Sequence, residues 1–164
     1  MILGYPLEVH AAMDLFAGSG ALGLEALSRG AGFVTFVDWN PSCLEVIREN
    51  LGRCGFQERA SVQRGAIPRD YPRIRRVVPV QYDLVLLDPP YRSGNVAELL
   101  RGLHRFSLLK ENARIVLEHS AKEPNLCFPA QFLVADRRTY GTTTITFFLY
   151  RKGEAPEDER GRTD

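Results

Sequence analysis

Up to Glu118 the chain alternates short, nearly continuous apolar runs with stretches of helical period. Ala12 to Phe16 is such a run and ends in a glycine-rich stretch. Gly20 to Arg29 follows, with Leu22, Leu24, Ala26 and Leu27 among good helix formers and Gly30 as its stop. The pattern predicts strand, tight turn, helix. Phe33 to Val37 is a second strand, closed by Asp38; Asn40-Pro41-Ser42 then opens a helix striped by Leu44, Val46, Ile47 and Leu51. A third strand is predicted over Ala60 to Gln63. Ile67 to Pro79, rich in proline and arginine, reads as a loop with room for a short helix. Tyr82 to Leu87 is the clearest buried strand, and Asp88-Pro89-Pro90-Tyr91 takes the chain out of the sheet because proline cannot donate to a ladder. Val96 to Leu109 predicts a helix with Leu99, Leu100, Leu103, Phe106 and Leu109 on one side, and Ala113 to Glu118 a fifth strand.

The pattern then changes. Glu123 to Pro129 is irregular, and Gln131 to Tyr140 and Thr142 to Tyr150 are β-rich segments joined around Gly141, which predicts a hairpin. The expected fold class is α/β: a mostly parallel sheet with helices on both faces, carrying an antiparallel strand from the C-terminal hairpin. One domain is expected over residues 1–151. The charged tail from Lys152 to Asp164, without a large apolar side chain, is expected to be disordered.

Composition adds little to this picture. With 45% hydrophobic and 25% charged residues in 164, the chain is of the ordinary globular kind, and no apolar run reaches the length of a membrane span. A monomer in the cytoplasm is expected. The three cysteines show no zinc-binding spacing, and no metal is expected. The formal net charge of +1 means that contact with nucleic acid must rest on local clusters. One such cluster is Arg69, Arg73, Arg75 and Arg76 with Tyr71 interleaved, which fits either a solvated face or a phosphate contact.

The candidate chemistry starts at Gly18-Ser19-Gly20-Ala21-Leu22-Gly23. Its G-x-G-x-x-G spacing stands between a predicted strand and helix, and Asp38 ends the next strand, which together suit a nucleotide-like ligand. That spacing alone admits a dinucleotide or a methyl-donor cofactor. Asp14, four residues before Gly18, is expected to aim its carboxylate into the crevice, where it would repel a pyrophosphate and attract an ammonium. S-adenosyl-L-methionine carries an ammonium, no phosphate, and a ribose whose hydroxyls Asp38 can accept. The alternative is local: Asp14 capping nearby amides, and Asp38 acting as a turn or cap residue before Asn40-Pro41.

Asp88-Pro89-Pro90-Tyr91 is the most specific signal in the chain. Neither proline has an N–H, so this backbone offers carbonyl acceptors and no donors, and the Asp88 carboxylate adds further acceptor capacity. Such a pocket suits a group that only donates, such as the exocyclic amine of a base, with Tyr91 as a stacking face worth about 1–3 kcal/mol. Acceptor bonds would localise the amine's lone pair, and a methyl-bearing sulfonium brings its own leaving group, so no strong base, metal or covalent nucleophile is required. His119 and Arg92 are lesser candidates at the same edge, and His104 and His10 fall in the helix and the leader.

Three segments carry a resemblance: Asp-Leu-Phe-Ala-Gly-Ser-Gly at 14–20, Glu25-Ala26-Leu27-Ser28-Arg29-Gly30-Ala31, and Leu87-Asp88-Pro89-Pro90-Tyr91. They resemble the bacterial RsmD family, S-adenosylmethionine-dependent methyltransferases of the guanine N2 amine in 16S ribosomal RNA. The likeness runs from about Ala12 to Tyr150 and includes Tyr140-Gly141. The acceptor motif by itself is shared with DNA adenine methyltransferases, so the segment at 25–31 is what points to this family. The resemblance implies a Rossmann-like class I methyltransferase fold with a seven-stranded sheet. It implies that Gly18 and Gly20 approach the cofactor, that Asp38 binds its ribose hydroxyls, and that Asp88, Pro89, Pro90 and Tyr91 hold the target base; Asp14, Phe16, Ala17 and Ala66 complete the expected cofactor site. It also implies 16S rRNA, or a small-subunit assembly intermediate, as partner. Family members carry an N-terminal Arg-Pro-Thr element that helps to engage RNA; the chain is expected to lack it, which leaves two alternatives, a DNA adenine-amino methyltransferase and a cofactor-binding module inactive on RNA. Gly65-Ala66-Ile67 holds no acid where the family often places one against the adenine amine.

Overall fold

The structure is a computed structural model, and it describes residues 8–90, 96–122 and 127–153. The expectations on the 154–164 tail, on Glu123 to Leu126, and on Tyr91 and Arg92 lie outside these residues. Seven strands form one sheet in the order β3-β2-β1-β4-β5-β7-β6. They are β1 (Ala11–Leu15), β2 (Phe33–Asp38), β3 (Ala60–Arg64), β4 (Tyr82–Leu87), β5 (Leu109–Ser120), β6 (Phe132–Tyr140) and β7 (Thr143–Tyr150). The first five run parallel, and β7 lies antiparallel between β5 and β6. Among the described residues they are joined by the α-helices α1 (Ala21–Ser28), α2 (Pro41–Cys54), α3 (Tyr71–Val77) and α4 (Val96–Arg105).

Strand alternation divides the core in two. Met13, Leu15, Val85, Leu87, Ile115 and Leu117 face one way, against Tyr71 and Ile74 of α3 and Leu100 and Leu103 of α4. Ala12, Val34, Phe36, Leu84 and Leu86 face the other, against Ala26 and Leu27 of α1 and Leu44, Ile47 and Leu51 of α2. The sheet is covered on both faces, which is why β1, β2 and β4 read as continuous apolar runs.

Two expected boundaries move. The fourth helix ends at Arg105, not Leu109, and the fifth strand starts at Leu109 instead of Ala113. Ser107 takes φ 51 and Leu108 N–H bonds back to Leu103, so the chain turns there and Leu109 pairs with Tyr82. The ladder is then offset by a bulge before Leu84 meets Arg114, with Asn112 at φ 64 inside it. The loop between β3 and β4 holds α3, with Tyr71 and Ile74 driven into the core.

Sheet order reverses between β1 and β4. Chain segments leaving those two strands diverge to opposite faces, and the crevice this opens at the carboxyl ends is where ligands sit in open α/β sheets. Leu15 pairs with Leu87, so the turn after β1 and Asp88 after β4 stand side by side at that point.

Candidate active site

The glycine turn is tightly tied down. Phe16 leaves β1 in a left-handed conformation at φ 62, uncommon for an aromatic residue and held here by its neighbours. Ala17 N–H donates to Val37 O at 3.1 Å, Gly20 N–H to Ala17 O at 2.7 Å, and Gly18 N–H to Asp38 Oδ2 at 2.9 Å. Gly18 (φ 55) and Gly20 (φ 80) take conformations that a side chain would strain. Gly20 precedes α1, whose first turn has no side-chain cap. Gly23 is required for a different reason: an added Cβ would lie 2.3 Å from the Phe36 ring and 3.0 Å from Asp14 Oδ2.

Asp38 joins the two halves of this edge. Its Oδ2 accepts from Gly18 and its Oδ1 from Asn40 N–H at 2.8 Å, while the cap of α2 is Asn40, which accepts from Ser42 N–H. Each Asp38 oxygen keeps a second lone pair for a ligand. Asp14 departs from expectation. It shares the face of Ala12, beneath α1, where it is 2% exposed and its Oδ2 accepts from Gly23 N–H at 2.9 Å. Strand parity turns it away from the open crevice, so its action there is by charge.

Four carboxylates are thus ranged along the edge: Asp38 ending β2, Asp14 in β1, Asp88 after β4 and Glu118 in β5, where Leu117 pairs with Leu87. Burial pushes Asp14 up to about 7; the Gly23 amide pulls it down, and Asp88 and then Asp38 push it further up. The protein around Asp88 raises its carboxyl, and Glu118 is raised by burial and by the charge of Asp88. Asp14 and Glu118 thus feel the charge of their neighbours, and a cation nearby would relieve that repulsion.

A cleft of about 520 Å³ opens on this edge. Phe16, Asp38 and Ala66 from the predicted cofactor set line it together with Asp88, Pro89 and Pro90 from the predicted acceptor motif. Ala17, Gly18 and Gly20 shape the turn behind it without lining it. Tyr91, the expected stacking face, is outside the described residues. Trp39, Asn40, Cys43 and Ile67 also line the cleft and were not anticipated. Their signal was positional: each follows the carboxyl end of β2 or β3, where an open sheet places its ligand contacts. His119 is buried with Nε2 2.9 Å from Thr146 Oγ1, and His104 Nδ1 lies 2.7 Å from Tyr150 Oη, so both serve packing.

A family described as "Conserved hypothetical protein 95" matches residues 1–149. The chain belongs to the RsmD family. YlbH of Bacillus subtilis is 34% identical over 141 residues, covering 85% of this chain and 75% of that protein. The "Ribosomal RNA small subunit methyltransferase D" of Haemophilus influenzae is 30% identical over 146 residues, with 85% and 70% covered. Among solved structures, the Escherichia coli protein yhhF superposes with a TM-score of 0.77 at 25% identity, over 88% of this chain and 78% of that one. The seven-stranded sheet with its antiparallel β7 is the class I methyltransferase fold, and this RsmD-family protein is a methyltransferase. A cofactor of the S-adenosylmethionine type goes with that family. Among the described residues no helix is long and apolar enough to cross a membrane.

Proposed function

We propose that the protein methylates the exocyclic N2 amine of a guanine in 16S ribosomal RNA, free or in an assembling small subunit, with S-adenosyl-L-methionine as donor. The observation that carries this reading is one cleft lined by Asp38 and by Asp88-Pro89-Pro90, with Asp14 buried behind it. Its volume is within the range of small-molecule sites. A pyrophosphate brought there would meet the carboxylates of Asp38 and Asp88, whereas an ammonium and a sulfonium are matched to them. The name of the Haemophilus relative supports small-subunit RNA as the substrate class.

When bound, S-adenosyl-L-methionine supplies a methyl group on a positively charged sulfur. Asp38 would hold the ribose hydroxyls with its remaining lone pairs, and Phe16, Trp39 and Ile67 offer apolar walls for the adenine. Ala66 lines the same end. Asp14 holds the turn through Gly23 and contributes charge from below. Asp88 and the Pro89 carbonyl accept hydrogens of the target amine, which concentrates its lone pair on nitrogen as it becomes pyramidal. Neither Pro89 nor Pro90 has an N–H to donate to that lone pair. The raised pKa of Asp88 makes it a better acceptor for the proton the amine sheds. Tyr91 would stack on the base.

Asp88→Asn tests the assignment. Transfer of labelled methyl groups to small-subunit RNA from cells lacking this protein should fall on the order of 10²-fold or more. S-adenosylhomocysteine affinity, measured by calorimetry, should stay within a few-fold. Digestion of the wild-type product should yield N2-methylguanosine; N6-methyladenosine, or undiminished transfer by the variant, would refute the reading.

A further inference from the structure

One further cleft adjoins the one just described, a second adjoins that one in turn, and both are lined by arginines. The first, about 410 Å³, shares Trp39, Gly65 and Ala66 with the cofactor cleft and adds Arg64, Arg69 and Arg73. The second, about 790 Å³, shares Arg69 with the first and continues onto α4, where Arg101 and Arg105 stand one turn apart beside Phe106. Arg69 joins them, with 79% of its side chain exposed. Helical spacing explains the grouping: Arg101 and Arg105 are i, i+4 neighbours, about 5–6 Å apart at Cβ. The arginine cluster seen in the sequence is therefore divided. Arg69 and Arg73 join Arg64 from β3, Arg75 and Arg76 line neither cleft, and Tyr71 is fully buried with its hydroxyl donating to Leu99 O.

Few acids answer these five arginines. Asp70 and Glu98 line the two clefts, and Asp70 is occupied by Ala66 N–H and by Arg69. Among the described residues Arg64, Arg73, Arg101 and Arg105 are in no salt bridge. A chain with a net charge of only +1 has thus gathered carboxylates in the cofactor cleft and guanidinium groups on the surface that leads away from it. An acidic cleft cannot hold a polyanion by its own field; an adjoining basic path can.

We infer that this path, from Arg64 and Arg73 at the mouth of the cofactor cleft through Arg69 to Arg101 and Arg105 on α4, is the seat of the RNA substrate's phosphate backbone. The inference rests on the reading of the protein as an RNA methyltransferase and adds where the strand lies. Phosphates recognised in this way position the substrate without reading its sequence, leaving base choice to the acceptor motif.

The test compares two triple variants of the full chain with equal change in formal charge. One is Arg69→Gln, Arg101→Gln, Arg105→Gln; the other is Arg48→Gln, Arg114→Gln, Arg138→Gln, at exposed positions lining neither cleft. Affinity for a small-subunit RNA fragment is measured across KCl concentrations. Unchanged S-adenosylhomocysteine binding verifies that each variant is folded. The first variant should weaken RNA binding and flatten the slope of log affinity against log salt by about 2, at about 0.7 per lost contact on a single strand. The second should keep the wild-type slope. Equal effects in the two variants, or none in the first while wild type methylates RNA, would overturn the track alone. Wild-type protein that neither binds nor methylates RNA would overturn the underlying function and the track with it. Loss of binding to phosphatidylglycerol vesicles with RNA binding unchanged would assign the surface to a membrane and also overturn the inference.

Discussion

Replacing Asp14 by Asn should make the protein more stable, by an amount that depends on pH in a defined window. The Asp14 carboxyl moves from 3.8 to about 7 on folding, chiefly because it is buried, with Asp88 and Asp38 adding like charge. The folded state therefore holds this proton over a range in which the unfolded chain has released it. Stability falls as pH rises from about 4 to about 7 and levels off above that, since the unfolded state binds fewer protons throughout the window. Three pH units at about 1.36 kcal/mol each amount to about 4 kcal/mol. Asparagine keeps an oxygen to accept from Gly23 N–H and cannot ionise. Urea unfolding of both proteins at pH 5, 6, 7 and 8 isolates the effect, because Asp88 and Glu118 titrate in both and largely cancel in the difference. The stability difference should move in favour of Asp14→Asn by about 1.4 kcal/mol per unit between pH 5 and 7, then flatten. A difference that stays constant from pH 5 to 8 would refute the account of Asp14 as a buried, charge-crowded acid.

Two other expectations follow from the same edge. Gly23→Ala should cost about 1–3 kcal/mol in urea unfolding, because its Cβ would lie 2.3 Å from the Phe36 ring in a layer where α1 rests directly on β2. S-adenosyl-L-methionine should bind more tightly as pH rises from 6 to 8, with proton release visible by calorimetry in buffers of different ionisation enthalpy. S-adenosylhomocysteine, without the sulfonium charge, should show a weaker dependence.

Much of the scaffold was legible because single residues carried it. Asn40, Pro41 and Gly55 frame α2 as an N-cap, a first-turn proline and a left-handed stop at φ 71. Pro89 and Pro90 end β4 where the apolar run meets residues that cannot pair. The boundary between α4 and β5 was not legible, since Phe106 and Leu109 continue the apolar stripe of the helix. It is tertiary pairing of Leu109 with Tyr82 that takes the chain into the sheet four residues early. β6 is exposed along all but its first residue, so no alternation marks it; it is held as an edge strand by β7. The place of Asp14 failed for a subtler reason. Its parity with Ala12 could be read, but which helix would cover that face depends on the topology.

The charge sorting at the carboxyl edge was legible only in part. Asp14, Asp38 and Asp88 read one by one as acids of the crevice, but Glu118 did not, and their mutual approach depends on the order of four strands. Sheet order places them together, and only then do Asp88 and Asp38 add to the rise at Asp14, and Asp88 to the rise at Glu118. A fold selected for stability alone would not keep an ionisable Asp14 there. If the acids persist because a cationic cofactor relieves them, Asp14→Asn must separate two quantities that usually move together, raising the stability of the free protein at pH 8 while weakening S-adenosyl-L-methionine binding. Urea unfolding and calorimetry on the same preparation decide it. A variant that is both more stable and an equally good binder would leave the buried acid without a function in holding the cofactor.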